Sequence, residues 1–485
     1  MKKIENKNQL IFFAIGFSLF FGVLLRFYNL NYENLWFDEI VSFWVSEPFI
    51  SFSESYARNS AAEGTPFLFN FLLKNLHEIF GYHTYLGRYF SALFSVLSIL
   101  SIAYISWTLK KNNSYILVLF LVSFNVFLIK YAQEARVYSL VFFLSTMTII
   151  FLIKSFNLSS NKKNLFINSF FYIIFQMLAI MVHPFTLIIF FSLITYYFFY
   201  FFKNKKNLVF LNYSILIIFL LLSVYLPIYF SDRIQHPADW LNNPQLKFYT
   251  NFYFSSFFGS RILGLVHLIL LVGLIYYYRN KFIKNLNFIT FFIILIFLTY
   301  LIPIIYGHLF KPVLFSRYII FVLIPIIVLL SYLIFEIEND KIKKNLIIFL
   351  VLITFANQFT EYNFKQFYEE RPKFKSDYLS PLEKIHQSKY KNYYINREYS
   401  NDVDDIFLKA VNNYFLVYSN ENKFSINQVK FTSLKNFRFK KIWIICPQNF
   451  GDKKCDKIKS NESYNLSTIE DIDYNSVNLK LVTIK

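Results

Sequence analysis

The sequence predicts a polytopic α-helical membrane protein with a small soluble α/β domain at its C-terminal end. Composition, a series of long apolar runs and the charge of the loops between them carry that expectation. The chain has 485 residues, 56% of them hydrophobic, with 64 Phe and 37 Tyr, and its mean hydropathy is +0.40. A water-soluble core does not hide that much apolar surface, whereas lipid accepts it. The net charge of +19 comes from 49 basic and 30 acidic residues. Nucleic acid is not the expected partner, because Lys and Arg lie mostly in short loops between apolar runs. That placement fits orientation in a membrane and contact with anionic headgroups. The heavy use of Lys, Asn, Ile and Phe looks like AT-rich coding bias and is not read as function.

Apolar runs long enough to span lie near 10–28, 85–109, 114–130, 137–153, 165–182, 185–202, 207–230, 262–278, 286–306, 316–335 and 345–360. A span needs about 20 residues, so the sequence predicts about 11 transmembrane helices within 1–360. Alternate loops are basic: Lys2, Lys3 and Lys7; Lys110 and Lys111; Lys154, Lys162 and Lys163; Lys203, Lys205 and Lys206; Arg279, Lys281 and Lys284; Lys341, Lys343 and Lys344. The inside-positive rule then puts the N-terminus in the cytoplasm. The 29–84 loop, the Gln133-Glu134-Ala135-Arg136 break, the 183–184 turn and the 231–261 and 307–315 loops face outward, as does the tail. The first run follows Met1-Lys2-Lys3 without a small-residue cleavage site and reads as a retained signal anchor in the cytoplasmic (inner) membrane.

The tail, 361–485, is polar and charged with short apolar runs. Lys441-Ile442-Trp443-Ile444-Ile445 reads as a buried strand and Asp402 to Phe415 as an amphipathic helix. About 125 residues support a small core of their own. Cys446 and Cys455 lack nearby His, so they do not read as a zinc site, and a disulfide between them is open.

Trp36-Phe37-Asp38-Glu39 follows the first span. A carboxylate pair at the mouth of a span is costly unless solvated or used. The same loop carries Glu54, Arg58, Glu63 and Arg88. Glu134 and Arg136 lie in the break after the third run, His183-Pro184 ends the fifth, and His308, Lys311 and Arg317 precede the tenth. All are expected near one membrane face. Each also has a plain role. Asp38 and Glu39 can be first-turn acids of an interfacial helix, worth about 1 kcal/mol. Arg136 and Arg317 can anchor to headgroups, His183 can close a helix end, and Glu63 can sit in a solvated turn. Ile40 to Tyr56 reads as an interfacial helix, and Phe67 to Phe80 as a second amphipathic or re-entrant one.

Several stretches together resemble the GT-C fold membrane glycosyltransferases, closest to the protein mannosyltransferase group and its bacterial lipid A aminoarabinose transferase relatives (glycosyltransferase family 39). They are Leu35-Trp36-Phe37-Asp38-Glu39, Gly64-Thr65-Pro66-Phe67-Leu68, Phe80-Gly81, Leu86-Gly87-Arg88-Tyr89-Phe90-Ser91-Ala92-Leu93, Tyr131-Ala132-Gln133-Glu134-Ala135-Arg136-Val137-Tyr138 and Ser316-Arg317-Tyr318. In the second stretch, Thr65-Pro66-Phe67 lacks the second Pro and the His usual there. The likeness covers about the first 140 residues well, 180–330 loosely and the tail not at all.

The resemblance implies a polyprenyl-phosphate sugar donor and a lipid, glycan or protein acceptor. Nucleotide sugars are absent outside the cytoplasmic membrane, so a lipid-linked sugar makes chemical sense. Its leaving phosphate is already largely ionised, so the reaction needs one base and cations for the phosphate. Asp38 is expected as that base, inverting the anomeric carbon, with Glu39 orienting the acceptor or pairing with a cation. Arg136 and Arg317, then Arg88 and Lys311, are the phosphate candidates, since a guanidinium meets two oxygens at once. Glu63, Glu134 and His183 are candidates around the acceptor. No cofactor is firmly implied; a divalent ion on Asp38, Glu39 and Glu134 is the one metal arrangement considered. The rivals are a lipid-linked glycan flippase, which calls for internal repeats and midplane charges, and an O-antigen polymerase or ligase, whose large outer loop falls late in the chain.

Overall fold

The computed structural model describes residues 2–110, 112–156, 161–204, 208–231, 241–280, 288–359, 363–396, 402–430, 436–437, 440–447 and 466–484. In chain order the helices begin with α1 Lys2–Phe27, α2 Phe37–Val45, α3 Phe52–Ala62, α4 Leu68–Phe80 and α5 Leu86–Leu109. Next come α6 Ser114–Ser123, α7 Val126–Ala132, α8 Tyr138–Ser155, α9 Lys162–Val182, α10 Leu187–Asn204 and α11 Val209–Ser231. Then follow α12 Leu246–Tyr249, α13 Phe254–Phe257, α14 Arg261–Tyr277, α15 Phe288–Leu309, α16 Leu323–Phe335 and α17 Asp340–Ala356. The tail adds α18 Ser380–Gln387, β1 Asn392–Ile395, α19 Asp402–Glu421, β2 Asn427–Gln428, β3 Lys441–Pro447, β4 Leu466–Tyr474 and β5 Val477–Ile484.

The chain divides into two compact units: 1–28, 64–69 and 88–371 form the first; 29–63, 70–87 and 372–485 form the second. The helices α2 and α3 thus belong to the same unit as the tail from 372 onward.

In the first unit each of the eleven apolar runs carries helix over most of its described residues. Among the described residues, seven helices are long and apolar enough to cross a membrane, so the chain is a multi-pass membrane protein. The run at 114–130 is instead two helices, α6 and α7, bent by 53°. Asn125 causes the bend: its Oδ1 accepts the Leu128 N–H at 2.9 Å, and its Nδ2 donates to the Phe257 carbonyl at 3.0 Å. The runs at 262–278 and 316–335 form shorter apolar helices, and the last run lies on the 17-residue α17. Large apolar side chains face outward, Leu10, Phe12 and Phe13 on α1 and Leu216, Leu220 and Val224 on α11 among them. Polar groups turn inward, as lipid requires. Arg26 is wholly buried, donating from Nε to Ser95 and from its terminal nitrogens to the carbonyls of Gly22, Val122 and Ser123. Hydroxyls inside the helices return to the preceding turn, Thr146 to Phe142 and Thr299 to Leu295 for example.

In the second unit a five-stranded sheet runs in the order β2-β1-β3-β5-β4. β1 is parallel to β2 and β3, while β5 is antiparallel to β3 and β4. The expected strand is β3, whose Ile442, Ile444 and Cys446 meet Val429, Val482 and Ile484 in one core. Cys446 is disulfide-bonded; Cys455 lies outside the described residues. The expected helix is α19, which runs on to Glu421 and buries Ala410, Val411, Tyr414 and Phe415.

The segment Ile40 to Tyr56 is not one interfacial helix. It breaks after α2 at Glu47-Pro48, and α2 is buried from Glu39 to Val45 because it packs against α19. Arg58 holds the break, donating to Glu47 at 2.7 Å and to the Trp44 carbonyl at 3.1 Å, with Glu54 at 3.0 Å on its other side.

Candidate active site

Each unit gathers part of the expected set. In the second unit, Asp38 and Glu39 occupy the first turn of α2, as their side chains favour at a helix N-terminus. Their surroundings differ. Asp38 is half-buried. Glu39 is fully buried, accepts the Trp36 N–H at 3.3 Å and pairs with Lys375 at 2.9 Å. The turn before α2 is gripped by the tail. Glu33 accepts the N–H groups of Phe374 and Lys375, Asn34 donates to Asp377, and the Leu35 N–H reaches the Tyr414 hydroxyl at 3.3 Å. Glu63 closes α3, is buried, and accepts the Ser42 hydroxyl at 2.9 Å, so it is not a solvated turn residue.

In the first unit, Glu134 and Arg136 lie in the tight turn between α7 and α8, where the Arg136 N–H donates to the Glu134 carbonyl at 2.8 Å. Both side chains are buried. Among the described residues, no hydrogen-bond donor reaches the buried Oε2 of Glu134, a state that costs free energy until water or a ligand meets it. Gln133 ties the turn to the end of α1, donating to the Leu25 carbonyl at 2.9 Å while its Oε1 accepts from Arg371 at 2.8 Å.

Arg317 sits among three aromatic rings, Phe315 at 4.9 Å, Tyr318 at 5.6 Å and Tyr138 at 5.8 Å from ring centre to guanidinium carbon. Aromatic faces attract a guanidinium and fix its plane. Tyr318 also lies 5.3 Å from the His183 ring. Tyr131, 5.0 Å from Tyr138, is within electrostatic reach of Glu134 and Arg317. Glu134, Arg136, His183 and Arg317 therefore come together around a group of tyrosines.

His183 is held down to about 3, first by burial and then by the cations of Arg136 and Arg317. It is neutral at physiological pH, and its Nδ1 accepts the Phe185 N–H at 3.3 Å, closing the turn Pro184–Thr186. That is the helix-end role. Arg88 is wholly buried near the start of α5, whereas Lys311 and His308 are exposed. Among the described residues, no three His, Cys, Asp or Glu side chains gather as a metal site requires.

Lys375 escaped the sequence reading, as did the Glu33, Asn34 and Tyr414 contacts. The only signal for Lys375 was the need of a buried acid for a cation, and 336 positions separate it from Glu39.

The fold has solved counterparts. The crystal structure of ArnT from Cupriavidus metallidurans in the apo state superimposes with a TM-score of 0.58, covering 98% of this chain and 98% of that one at 9% identity. The chain has the ArnT fold. A second ArnT structure from the same organism, bound to undecaprenyl phosphate, superimposes with a TM-score of 0.54 over 96% of this chain and 98% of that one, also at 9% identity. No protein-family model matches the sequence, and no curated protein matches it. The ArnT fold is the GT-C fold expected from the sequence, and its likeness extends through the tail, which the short motifs did not reach.

Proposed function

We propose that the chain transfers a sugar from a polyprenyl-phosphate donor to an acceptor hydroxyl at the outer face of the cytoplasmic membrane, inverting the anomeric carbon. The observation that carries this reading is the ArnT fold along almost the whole of both chains. ArnT binds undecaprenyl phosphate, which supports a polyprenyl lipid as this chain's partner. The alternating basic loops support a cytoplasmic N-terminus and an outward-facing tail.

Asp38 takes the proton of the acceptor hydroxyl as that oxygen attacks. A base so placed contributes about 100- to 10,000-fold. Arg136 and Arg317 bind the donor phosphate and stabilise the charge it gains as the bond to the sugar breaks. The aromatic cradle of Arg317 supports this role, because three rings around the guanidinium fix its position. Arg88 and Lys311 stand behind them. Glu134 accepts a hydroxyl of the bound sugar or acceptor through its buried Oε2. His183, neutral and hydrogen-bonded, shapes this cluster and takes no proton; Glu63 supports α2 through Ser42.

The test is glycan mass spectrometry on cells lacking the gene. The reading expects one sugar mass to be missing from an envelope glycan, lipid or protein, and restored by the wild-type chain. Accumulation of whole lipid-linked chains would contradict it and favour a flippase or ligase.

A further inference from the structure

Glu39 is the third residue of α2 and has no exposed surface. A buried carboxylate is stable only when paired and hydrogen-bonded. Its pairing comes from Lys375, whose ammonium lies 2.9 Å from Oε2 and 5.9 Å from the centre of the Trp36 ring. Lys375 is itself fixed on both sides: its N–H donates to Glu33, and its carbonyl accepts Asn475 Nδ2 at 2.8 Å. Two residues on, Asp377 binds Asn34 and accepts the Ser380 N–H at 3.1 Å and hydroxyl at 2.7 Å at the start of α18. Segments 33–39 and 374–377 therefore clasp at both ends, through Glu33 and through Glu39. Asp38 precedes Glu39 on the same helical turn.

We propose that Lys375 is a positioning residue for sugar transfer: its ion pair with buried Glu39 fixes the first turn of α2 and so aims the Asp38 carboxylate. This rests on the reading of Asp38 as the base of a transferase. A displacement of about 1 Å at a reacting group costs on the order of 100-fold in rate, so a clasp that holds the turn is worth building. The tail becomes part of the catalytic unit.

The experiment uses the full-length chain, with sugar addition measured by mass spectrometry in complemented cells and undecaprenyl phosphate as the binding probe for purified protein. Lys375→Met alone takes the Lys375 ammonium away from a buried carboxylate, so Lys375→Met/Glu39→Gln is made beside it. Both are expected to transfer about 100-fold less, and the double variant to keep the wild-type melting temperature to within a few degrees. Their affinity for undecaprenyl phosphate should stay within about twofold of wild type, and Lys375→Arg should restore most of the transfer. Wild-type transfer by the folded double variant overturns this inference alone. So does loss of lipid affinity equal to the loss of transfer, which would make Lys375 a ligand, and so does loss of folded protein in both variants. Absence of sugar addition by wild type overturns both the inference and the function on which it rests.

Discussion

Asp38 and Glu39 are adjacent in sequence and unlike in circumstance. Glu39 is enclosed, its Oε2 committed to Lys375 and Trp36, while Asp38 remains half-buried at the helix start. The pair reads as one acid that holds the helix and one that does chemistry. Among the cations, planar geometry distinguishes the account. Arg317→Lys keeps the charge but loses both the two-oxygen grip and the contact with its three rings. It is expected to cut transfer at least about tenfold with the protein still folded, and Arg136→Lys likewise; rates equal to wild type would remove these residues from phosphate binding. Two histidines supply a pH dependence. His77, buried on α4 with Nδ1 3.0 Å from the Ser46 carbonyl, is lowered from 6.5 to about 4, chiefly by burial. His183 is lowered to about 3. The unfolded chain therefore binds protons that the folded chain refuses, and stability falls as pH drops below about 6.5. The apparent melting temperature of purified protein should decline between about pH 6.5 and 4, with His77→Gln flattening the curve; a curve unchanged by that substitution would contradict the assignment.

At the scale of elements, close packing is what places the helices. Gly264 on α14 has the Ser255 nitrogen and Phe254 carbonyl carbon of α13 at 2.4 and 2.6 Å from where a Cβ would stand. Both are backbone atoms and cannot swing aside. Gly264→Ala should destabilise the protein by about 1–3 kcal/mol, read as a lower melting temperature, with a neutral result showing that α13 shifts freely. The elements also show what was legible. The run from Leu10 onward and the other apolar runs are helices because hydrophobicity over about 20 residues leaves the backbone no alternative in lipid. The strand over Lys441–Ile445 and the helix from Asp402 to Phe415 were legible from their apolar patterns, though both run further, to Pro447 and Glu421. The bend at Asn125 was not, since one polar residue in an apolar run does not announce its two bonds. Nor was the burial of α2, whose aromatic face suits a membrane surface as well as it suits α19.

At the scale of the whole molecule, the unexpected feature is that residues 29–63 and 70–87 form one compact unit with the tail from 372 onward. The contacts that make it so, Glu33 with Phe374 and Lys375, Leu35 with Tyr414, Tyr82 with Asn413 at 2.7 Å and Thr84 with Glu421 at 3.2 Å, join residues more than 300 positions apart. Side chains so separated leave no spacing for a sequence to display. The short motifs around Asp38, Arg136 and Arg317 pointed to the GT-C fold, which the ArnT structures share along nearly the full chain. The central claim is that this fold serves a base-catalysed transfer from a lipid-linked sugar. The most direct measurement is glycan mass spectrometry on cells lacking the gene and carrying either the wild-type chain or Asp38→Asn at equal membrane levels. The account predicts that wild type restores one sugar mass and Asp38→Asn does not. Full restoration by Asp38→Asn would contradict it.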